Sequence, residues 1–337
     1  MALAYPYDTG QFVTHILYNE AMNSQSAPLV SIIIPIKPGL EPSALQRLSA
    51  LDWPAEQLEL LVAEGTCPSR QRNLAVQQAR GEIVYFLDDD SLVATDALRR
   101  LTNHFRDPSV VAVGGPSLTP ADDSLLQRGF GALFTSLLGA GGVRNRYQAV
   151  GELRQTTERE LILCNLAFRR TAFLEQGGLD ERLYPNEEND LLDRLHKAGA
   201  ILLHDPRLAV WRSQRSTVAA FAKQLFRYGR GRAEQTRIAG YPGLMPFVPL
   251  FFVIYLLTLL VTSHPFYFAP LALYLLADLL CSLRAALRYR TPAFLLLLPF
   301  LFPLLHISNG LGLLFGFLLP LKKQTCYTSV SIRCLKP

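Results

Sequence analysis

The C-terminal third is the feature that most limits how this chain can fold. Three apolar runs, at about residues 245–263, 266–283 and 293–320, contain one acid (Asp278), one histidine (His306) and no Lys or Arg. An α-helix rises about 1.5 Å per residue and the hydrocarbon core of a bilayer is about 30 Å thick, so runs of this length are candidate spans. The sequence therefore predicts a transmembrane region over residues 239–320, followed by a tail over residues 321–337.

The distribution of charge supports this prediction. The chain has 33 Lys and Arg against 28 Asp and Glu, a net charge of +5, and the excess of basic residues lies in the apolar third. Basic residues that flank apolar runs are typical of membrane proteins. The positive charge therefore gives no support to nucleic-acid binding, which needs a basic surface aimed at phosphates.

Lys and Arg also indicate which segments face the cytoplasm. They are concentrated in residues 212–238, before the first run, and between the second and third runs at Arg284, Arg288 and Arg290. The positive-inside rule predicts a multi-pass protein of the cell's inner membrane with a cytoplasmic N-terminal domain, and residues 212–238 as a basic interfacial segment. The topology after residue 292 stays open, because the prolines and glycine of the third run also fit a re-entrant pair.

Residues 28–211 alternate between strand-like and helix-like segments. Continuous apolar runs, typical of buried strands, occupy residues 29–36, 58–63, 82–87 and 110–113, and helical spacing occurs between them. This alternation predicts an α/β domain with a mostly parallel sheet covered by helices on both faces. We place this domain at residues 28–211, preceded by an N-terminal extension over residues 1–27.

Three consecutive acids, Asp88, Asp89 and Asp90, follow the third apolar run. Ligands of open parallel sheets bind at the carboxyl ends of the strands, so these acids are predicted at the binding edge. Carboxylate oxygens suit hard cations such as Mg²⁺ and Mn²⁺, which also bind substrate phosphates. The alternative is a solvated turn in which Asp90 or Ser91 caps the next helix. The position directly after a buried strand favours the metal site.

Segments along residues 28–235 resemble, in the same order, the motifs of family 2 glycosyltransferases, which have the Rossmann-like GT-A fold. These segments are VSIIIPIK, RQRNLAVQQARGE, GEIVYFLDDDS with its DxD motif, CNLAFRRTAFLEQGGLDERL, NEENDLLDRLHKAG and QLFRY. The last is similar to the QxxRW motif of processive members, with Tyr228 in place of Trp. The C-terminal HISNGLGLLFG further resembles membrane-bound bacterial glycosyltransferases of succinoglycan-type exopolysaccharide biosynthesis.

The resemblance implies a donor site. It assigns Mn²⁺ or Mg²⁺ to Asp88 and Asp90, the outer acids of the DxD motif. It assigns the nucleotide-sugar to Pro35, Glu64, Arg72, Asp88 and Asp89. Two residues depart from the family pattern: Glu64 stands where an Asp usually reads the base, and Arg212 stands at about the place where many GT-A enzymes have a metal-binding His.

The resemblance also implies an acceptor side. It assigns the catalytic base to Glu188, with Glu187 as the alternative, since the register is open by one position. It assigns Asn165, Gln224, Arg227 and Tyr228 to the acceptor or the diphosphate. The last three share one helical face by their i, i+3 and i+4 spacing. An interfacial helix drawn to anionic lipid is the alternative explanation of that face.

Together these features predict a metal-dependent, inverting glycosyltransferase. Its donor would be a nucleotide-sugar, with a UDP-sugar favoured, and its acceptor a lipid-linked saccharide or a polysaccharide at the cytoplasmic membrane face. Membrane lipids are predicted partners and nucleic acid is not. Two alternatives stay open. One is a nucleotidyl- or phosphoryl-transferase on a similar fold, although the sequence has no GxxxxGK loop. The other is a non-catalytic membrane scaffold that keeps an inactive transferase domain.

Overall fold

The computed structural model describes residues 28–240, 243–262, 264–321 and 329–335. The predicted extension over residues 1–27 and most of the predicted tail lie outside these residues. The helices are α1 (Leu45–Leu48), α2 (Pro68–Gln78), α3 (Ala97–His104), α4 (Leu125–Thr135), α5 (Leu137–Ala140), α6 (Arg170–Glu175), α7 (Glu187–Lys197), α8 (Val218–Ala239), α9 (Val248–Thr258), α10 (Ala269–Arg288) and α11 (Phe294–Leu318).

Two sheets are present among the described residues. The main sheet contains β1 (Val30–Ile36), β2 (Leu58–Glu64), β3 (Ile83–Leu87), β5 (Val110–Gly114), β7 (Arg154–Gln155), β8 (Asn165–Arg169), β9 (Ile201–His204) and β11 (Ser331–Leu335), in the order β11-β2-β1-β3-β8-β5-β9-β7. A small sheet in the order β4-β10-β6 contains β4 (Leu92–Val93), β6 (Ser117–Leu118) and β10 (Val210–Trp211).

The predicted α/β class is confirmed, and five of the eight main strands share one direction. These are β1, β2, β3, β5 and β9, whereas β7, β8 and β11 run the opposite way. The sheet is mixed because β8 begins beside Leu87, at the carboxyl edge of β3, and so runs back against both of its neighbours. Asn165, the first residue of β8, is thereby placed at the edge where Asp88 begins.

The four apolar runs predicted as strands are confirmed as β1, β2, β3 and β5. Their side chains alternate between two cores. Ile32 and Ile34 pack with Leu98 of α3 on one face, whereas Ile33 packs with Val76 of α2 on the other. Because helices cover both faces, a strand here is apolar at nearly every position rather than at every second one.

The C-terminal third folds into three apolar helices, α9, α10 and α11. By length and composition, the helices over Pro265–Arg288 and Phe294–Leu318 are long and apolar enough to cross a membrane, and Met245–Thr258 forms a shorter apolar helix. The third predicted run is one continuous helix, α11, in spite of Pro299 and Pro303. This run therefore does not form a re-entrant pair of helices.

Helix α11 is fixed to the α/β domain along its length. In its C-terminal half, a Cβ added to Gly312 would lie 2.0 Å from the carbonyl oxygen of Phe226 in α8. Glycine permits the two backbones to approach this closely. At its start, Arg128 of α4 donates to Thr291 at 2.8 Å, and at its end Arg237 of α8 donates to the carbonyl oxygen of Leu319 at 2.7 Å. Both ends of α11 therefore touch the domain.

After α11 the chain returns to the main sheet. Strand β11 pairs antiparallel with β2, from Ser331 beside Glu64 to Leu335 beside Leu60. Leu335 packs against one core of the sheet and Ile332 against the other. The tail therefore covers the edge of β2, which would otherwise be open for pairing with another chain.

Candidate active site

The carboxyl ends of β1 and β2 form one end of the site. Gln71 of α2 donates to the carbonyl oxygens of Ile36 and Ala63, at 2.8 and 2.5 Å, and so ties the two strand ends to the start of a helix. Pro35 lies in this end of β1, opposite Ala63. Glu64 accepts a hydrogen bond from the backbone N–H of Gly39 at 3.0 Å. Pro35 and Glu64 are thus at the predicted edge, and Glu64 also holds the loop that follows β1.

Arg72 of α2 connects the two groups of acids that the sequence singles out. Its side chain is only 5% exposed, its Nη2 donates to Oδ1 of Asp88 at 3.0 Å, and its Nη1 lies 3.5 Å from Oε1 of Glu187. Its Nε has no hydrogen-bond partner among the described residues, and neither has Oε2 of Glu187. A buried guanidinium in contact with carboxylates from two distant segments joins those segments into one site.

Glu187 and Glu188 begin α7 but have different surroundings. The side chain of Glu187 is 3% exposed, whereas that of Glu188 is 13% exposed and lies 3.7 Å from Nη1 of Arg146. Burial, together with the adjacent charge of Glu188, raises the pKa of Glu187, and Arg72 opposes this shift. The protonated form of Glu187 is therefore favoured, while Glu188 is the one of the pair that reaches solvent.

Arg212 bridges Asp88 and Asp90, the first and third of the three consecutive acids. Its Nη1 lies 3.2 Å from Oδ2 of Asp88, and its Nε donates to Oδ1 of Asp90 at 2.8 Å. Burial alone would lower the pKa of Arg212, but the carboxylates of Asp88 and Asp90 raise it well above its usual value. With Arg72 on its other oxygen, Asp88 has a guanidinium on both sides.

Asp89 and the start of the following turn are held by backbone contacts. The carbonyl oxygen of Asp89 accepts from the N–H of Ala44 at 2.9 Å and from the hydroxyl of Ser43 at 2.9 Å. The hydroxyl of Ser91 accepts from the N–H of Asp88 at 3.1 Å. Burial, and next the charges of Asp90 and Asp88, raise the pKa of the Asp89 carboxyl. The turn is therefore built into the sheet edge rather than being a free solvated loop.

Two of the three predicted residues of helix α8 form a hydrogen-bonded pair. Gln224 donates to the hydroxyl of Tyr228 at 2.6 Å and accepts from Arg215 at 2.8 Å. Burial raises the pKa of Tyr228, and the charge of Arg212 and the hydrogen bond from Gln224 oppose this shift. Arg227 is exposed and makes no hydrogen bond or ion pair within the described part of the chain.

Asn165 is placed at the edge but has no free polar atom there. Its side chain is fully buried, its Oδ1 accepts from the hydroxyl of Tyr85 at 2.6 Å, and its Nδ2 donates to the carbonyl oxygens of Pro116 and Leu208. These contacts join β3, β8 and the two segments that flank the small sheet. In this structure Asn165 supports the site and does not line it.

Two arginines near Glu188 were not among the predicted site residues. Arg146 is buried and donates to Oδ1 of Asn189 at 2.5 Å, besides its contact with Glu188. Burial, and next the charge of Arg146, lower the pKa of Arg232 in α8 to about 10, and Glu188 opposes this shift. Arg146 lies in the segment GGVRNRY, which matches no motif, and Arg232 is one of many basic residues in α8. Neither carried a signal in the sequence.

The carboxylates of Asp88 and Asp90 fit a divalent cation. Both direct an oxygen at one positive group, the guanidinium of Arg212, so they converge on a single position. Carboxylate oxygens are the ligands that Mg²⁺ and Mn²⁺ prefer. In the part of the chain that the structure describes, no group of three or more His, Cys, Asp or Glu could hold a metal ion. Two carboxylates would therefore supply part of the coordination shell, and substrate phosphates the rest.

Comparison with known proteins identifies the family. Residues 83–318, well over half of the chain, match the family model described as glycosyl transferase family group 2. The α/β fold is of the GT-A kind found in glycosyltransferases. The chain belongs to glycosyl transferase family group 2.

Two relatives and one solved structure show how far the likeness extends. Succinoglycan biosynthesis protein ExoA of Rhizobium meliloti (strain 1021) is 29% identical over 191 residues, which cover 54% of this chain and 56% of ExoA. Pre-mycofactocin glycosyltransferase of Mycobacterium tuberculosis (strain ATCC 25618 / H37Rv) is 27% identical over 166 residues, 49% of this chain and 34% of that protein. The match thus spans about half the length of the first relative and a third of the second.

The solved structure is mannosyltransferase PcManGT from Pyrobaculum calidifontis in complex with GDP-Man and Mn²⁺. It superposes with a TM-score of 0.53 at 17% identity, over 91% of this chain and 94% of PcManGT. The predicted GT-A fold is therefore confirmed.

Proposed function

We propose that this protein is an inverting glycosyltransferase that moves a sugar from a nucleotide-sugar to a hydroxyl of a lipid-linked saccharide at the cytoplasmic membrane face. One observation carries the proposal. Arg72 contacts Asp88 at 3.0 Å and Glu187 at 3.5 Å, so the DxD acids and the acids of α7 belong to a single site. A donor at the first group and an acceptor at the second would meet with their reacting atoms close together, which is a large part of enzymatic rate enhancement.

The donor side has the charges that a nucleoside diphosphate needs. Arg72 and Arg212 are two largely buried guanidinium groups beside the ends of β1, β2 and β3, and guanidinium groups bind phosphate oxygens in pairs of hydrogen bonds. Pro35, Glu64 and Asp89 line the same edge, where a nucleoside would lie. A divalent cation held by Asp88 and Asp90 would offset the negative charge that builds on the leaving diphosphate. A UDP-sugar remains the favoured donor.

Glu188 is the proposed general base. As the acceptor hydroxyl oxygen attacks the anomeric carbon, Glu188 takes the hydroxyl proton, and the bond from that carbon to the diphosphate oxygen breaks with its electron pair on the nucleoside diphosphate. Attack from the side opposite the leaving group inverts the anomeric centre. Glu187 is the alternative base, but its side chain is 3% exposed and lies 3.5 Å from Arg72, so an acceptor hydroxyl reaches Glu188 more readily.

The membrane location of the acceptor is supported by the surface of α9 and α10. Large apolar side chains of these helices and of the segment between them are among the most exposed of the described residues, including Leu257, Leu260, Val261, Phe266 and Leu273. A surface of this kind is unstable in water and is typical of contact with lipid. The name of ExoA supports a role in saccharide assembly, and the complex of PcManGT with GDP-Man and Mn²⁺ supports a nucleotide-sugar and a divalent metal.

The experiment uses the full chain in lipid nanodiscs with Mn²⁺, a set of labelled UDP- and GDP-sugars and a lipid-linked saccharide. We expect one donor to give a glycosylated lipid whose new bond has the opposite anomeric configuration to the donor, with Glu188→Gln as the inactive control. Release of free sugar without any labelled lipid, or a product that retains the donor configuration, would overturn the proposal.

A further inference from the structure

Arg212 occupies the position at which the DxD carboxylates converge. Its backbone is held by the small sheet: β10 ends one residue before Arg212, Trp211 pairs with Leu92 of β4, and the N–H of Arg212 donates to the carbonyl oxygen of Leu118 at 2.9 Å. Strand β4 begins two residues after Asp90. The register of these short strands therefore places Arg212 beside Asp90 in the absence of a substrate.

The guanidinium and a divalent cation need the same oxygen atoms. Arg212 contacts Oδ2 of Asp88 and Oδ1 of Asp90, while the other oxygen of Asp88 accepts from Arg72. A cation that binds both carboxylates must displace Arg212, because the two positive groups would repel each other at such short range. The displaced side chain, only 25% exposed, would then be a largely buried charge without a partner, which is costly.

We propose that Arg212 exchanges partners when the donor binds. Without a donor it neutralises Asp88 and Asp90 and keeps the metal out. The diphosphate of the donor supplies a new anionic partner for the guanidinium, which frees the two carboxylates for the metal. Metal and nucleotide then bind cooperatively, because binding of either one makes the binding free energy of the other more favourable. This inference rests on the proposed function in one respect, namely that the donor carries a diphosphate.

The exchange has a thermodynamic signature. The factor by which a nucleotide tightens metal binding must equal the factor by which the metal tightens nucleotide binding, and such coupling factors are typically about 5- to 150-fold. If Arg212 is the competitor, its removal should tighten the binding of metal in the absence of nucleotide and should reduce the coupling factor towards one. A site in which Arg212 only supports the fold would lose metal affinity or keep it unchanged.

The experiment titrates Mn²⁺ alone into the full-length protein in nanodiscs, with free Mn²⁺ measured by electron paramagnetic resonance, and repeats the titration with saturating UDP and with saturating GDP. For the wild type we expect weak binding of Mn²⁺ alone and at least about 10-fold tighter binding with one of the nucleotides. For Arg212→Gln we expect Mn²⁺ alone to bind at least about 10-fold tighter than to the wild type, and a nucleotide effect of less than about 3-fold.

Two further variants make the result specific. Arg207→Gln removes the same charge from an exposed position and should match the wild type. Arg212→Lys keeps the charge, but one ammonium group does not bridge two carboxylates as a guanidinium does, so Mn²⁺ alone should bind more tightly than to the wild type. Arg212→Lys also tests the proposal if Arg212→Gln does not fold.

Unchanged or weaker binding of Mn²⁺ to both Arg212 variants would overturn the proposal. So would a wild type that binds no Mn²⁺ with either nucleotide, since Arg212 would then permanently take the place of the metal. Failure of the proposed function has a different signature, because the nanodisc assay would show no sugar transfer whatever the Mn²⁺ titrations show.

Discussion

Replacement of Glu188 by Gln tests the assignment of the catalytic base. Gln keeps the size of the side chain and a polar atom near Arg146, 3.7 Å away in the wild type, but it does not accept a proton. Loss of a general base typically lowers the rate by about 10²- to 10⁴-fold, or about 3 to 5 kcal/mol in activation free energy. The contacts of Asp88 with Arg72 and Arg212 do not involve Glu188, so donor affinity should stay close to that of the wild type.

Glu187→Gln is the matched control. The wild-type carboxyl is buried, and its pKa is raised by burial and by the neighbouring charge of Glu188. A protonated Glu and a Gln have the same shape and charge, so this change should alter kcat by less than about 5-fold, well short of the loss of a base. The two variants differ by one position in the chain and by the exposure of the side chain.

The assay measures kcat at saturating donor and lipid acceptor, and the donor Kd by calorimetry, for both variants and the wild type. The reasoning is refuted if Glu187→Gln loses about 100-fold or more in kcat while Glu188→Gln stays active. Small, equal losses in both variants would place the base outside α7. A weaker donor Kd in Glu188→Gln would show that this residue belongs to the donor side.

Three more predictions concern the metal, the helix packing and pH. Asp90→Ala should abolish Mn²⁺-dependent binding of nucleotide in calorimetry without affecting the fold, since Asp90 is exposed. Nucleotide binding to the wild type that EDTA does not weaken would contradict this. Gly312→Leu should lower Tm by several degrees, because its Cβ would lie 2.0 Å from a carbonyl oxygen of α8, whereas Leu296→Ala, on the exposed side of α11, should change Tm little. Glu160→Gln should lower the free energy of unfolding by about 2–3 kcal/mol above pH 4.5. Burial would raise the pKa of Glu160, but hydrogen bonds, first from Arg154, lower it from 4.5 to about 2, so the stabilisation is complete above pH 4.5 and is lost as the pH falls towards 2. Urea unfolding of both proteins across that range checks this, and a difference independent of pH would refute it.

The strands that the sequence predicted are those buried on both faces. In β1, β2, β3 and β5 nearly every side chain enters a core, so each appears in the sequence as a continuous apolar run. Strand β11 covers an edge and has a half-exposed pattern over five residues, SIRCL, which is too short and too polar for periodicity to detect. The prolines and glycine of the third apolar run left its form open, and the structure shows one helix, α11, which packs against α8 and α4.

The acids of the site were predictable, whereas their partners were not. Asp88 and Asp90 follow a buried strand, and Glu187 and Glu188 begin a helix, so their places depend on local sequence. The contacts of Arg212 with Asp88 and Asp90 depend on the register of β4 and β10. Each of these strands has two residues, and no local sequence pattern indicates how they pair. The choice between Glu187 and Glu188 likewise depends on burial, which comes from tertiary packing. Their proposed roles stay predictions.

The polypeptide leaves the α/β domain at the end of α8 and touches it again at Thr291, Leu319 and β11. The hairpin of α9 and α10 lies along the chain between the end of α8 and Thr291. Between these two helices, Leu260, Val261 and Phe266 are among the most exposed apolar side chains of the described residues. Helix α9 has 11 residues, about 17 Å of helix, which is shorter than the roughly 30 Å hydrocarbon core of a bilayer, so this hairpin is not built from two full-length spans.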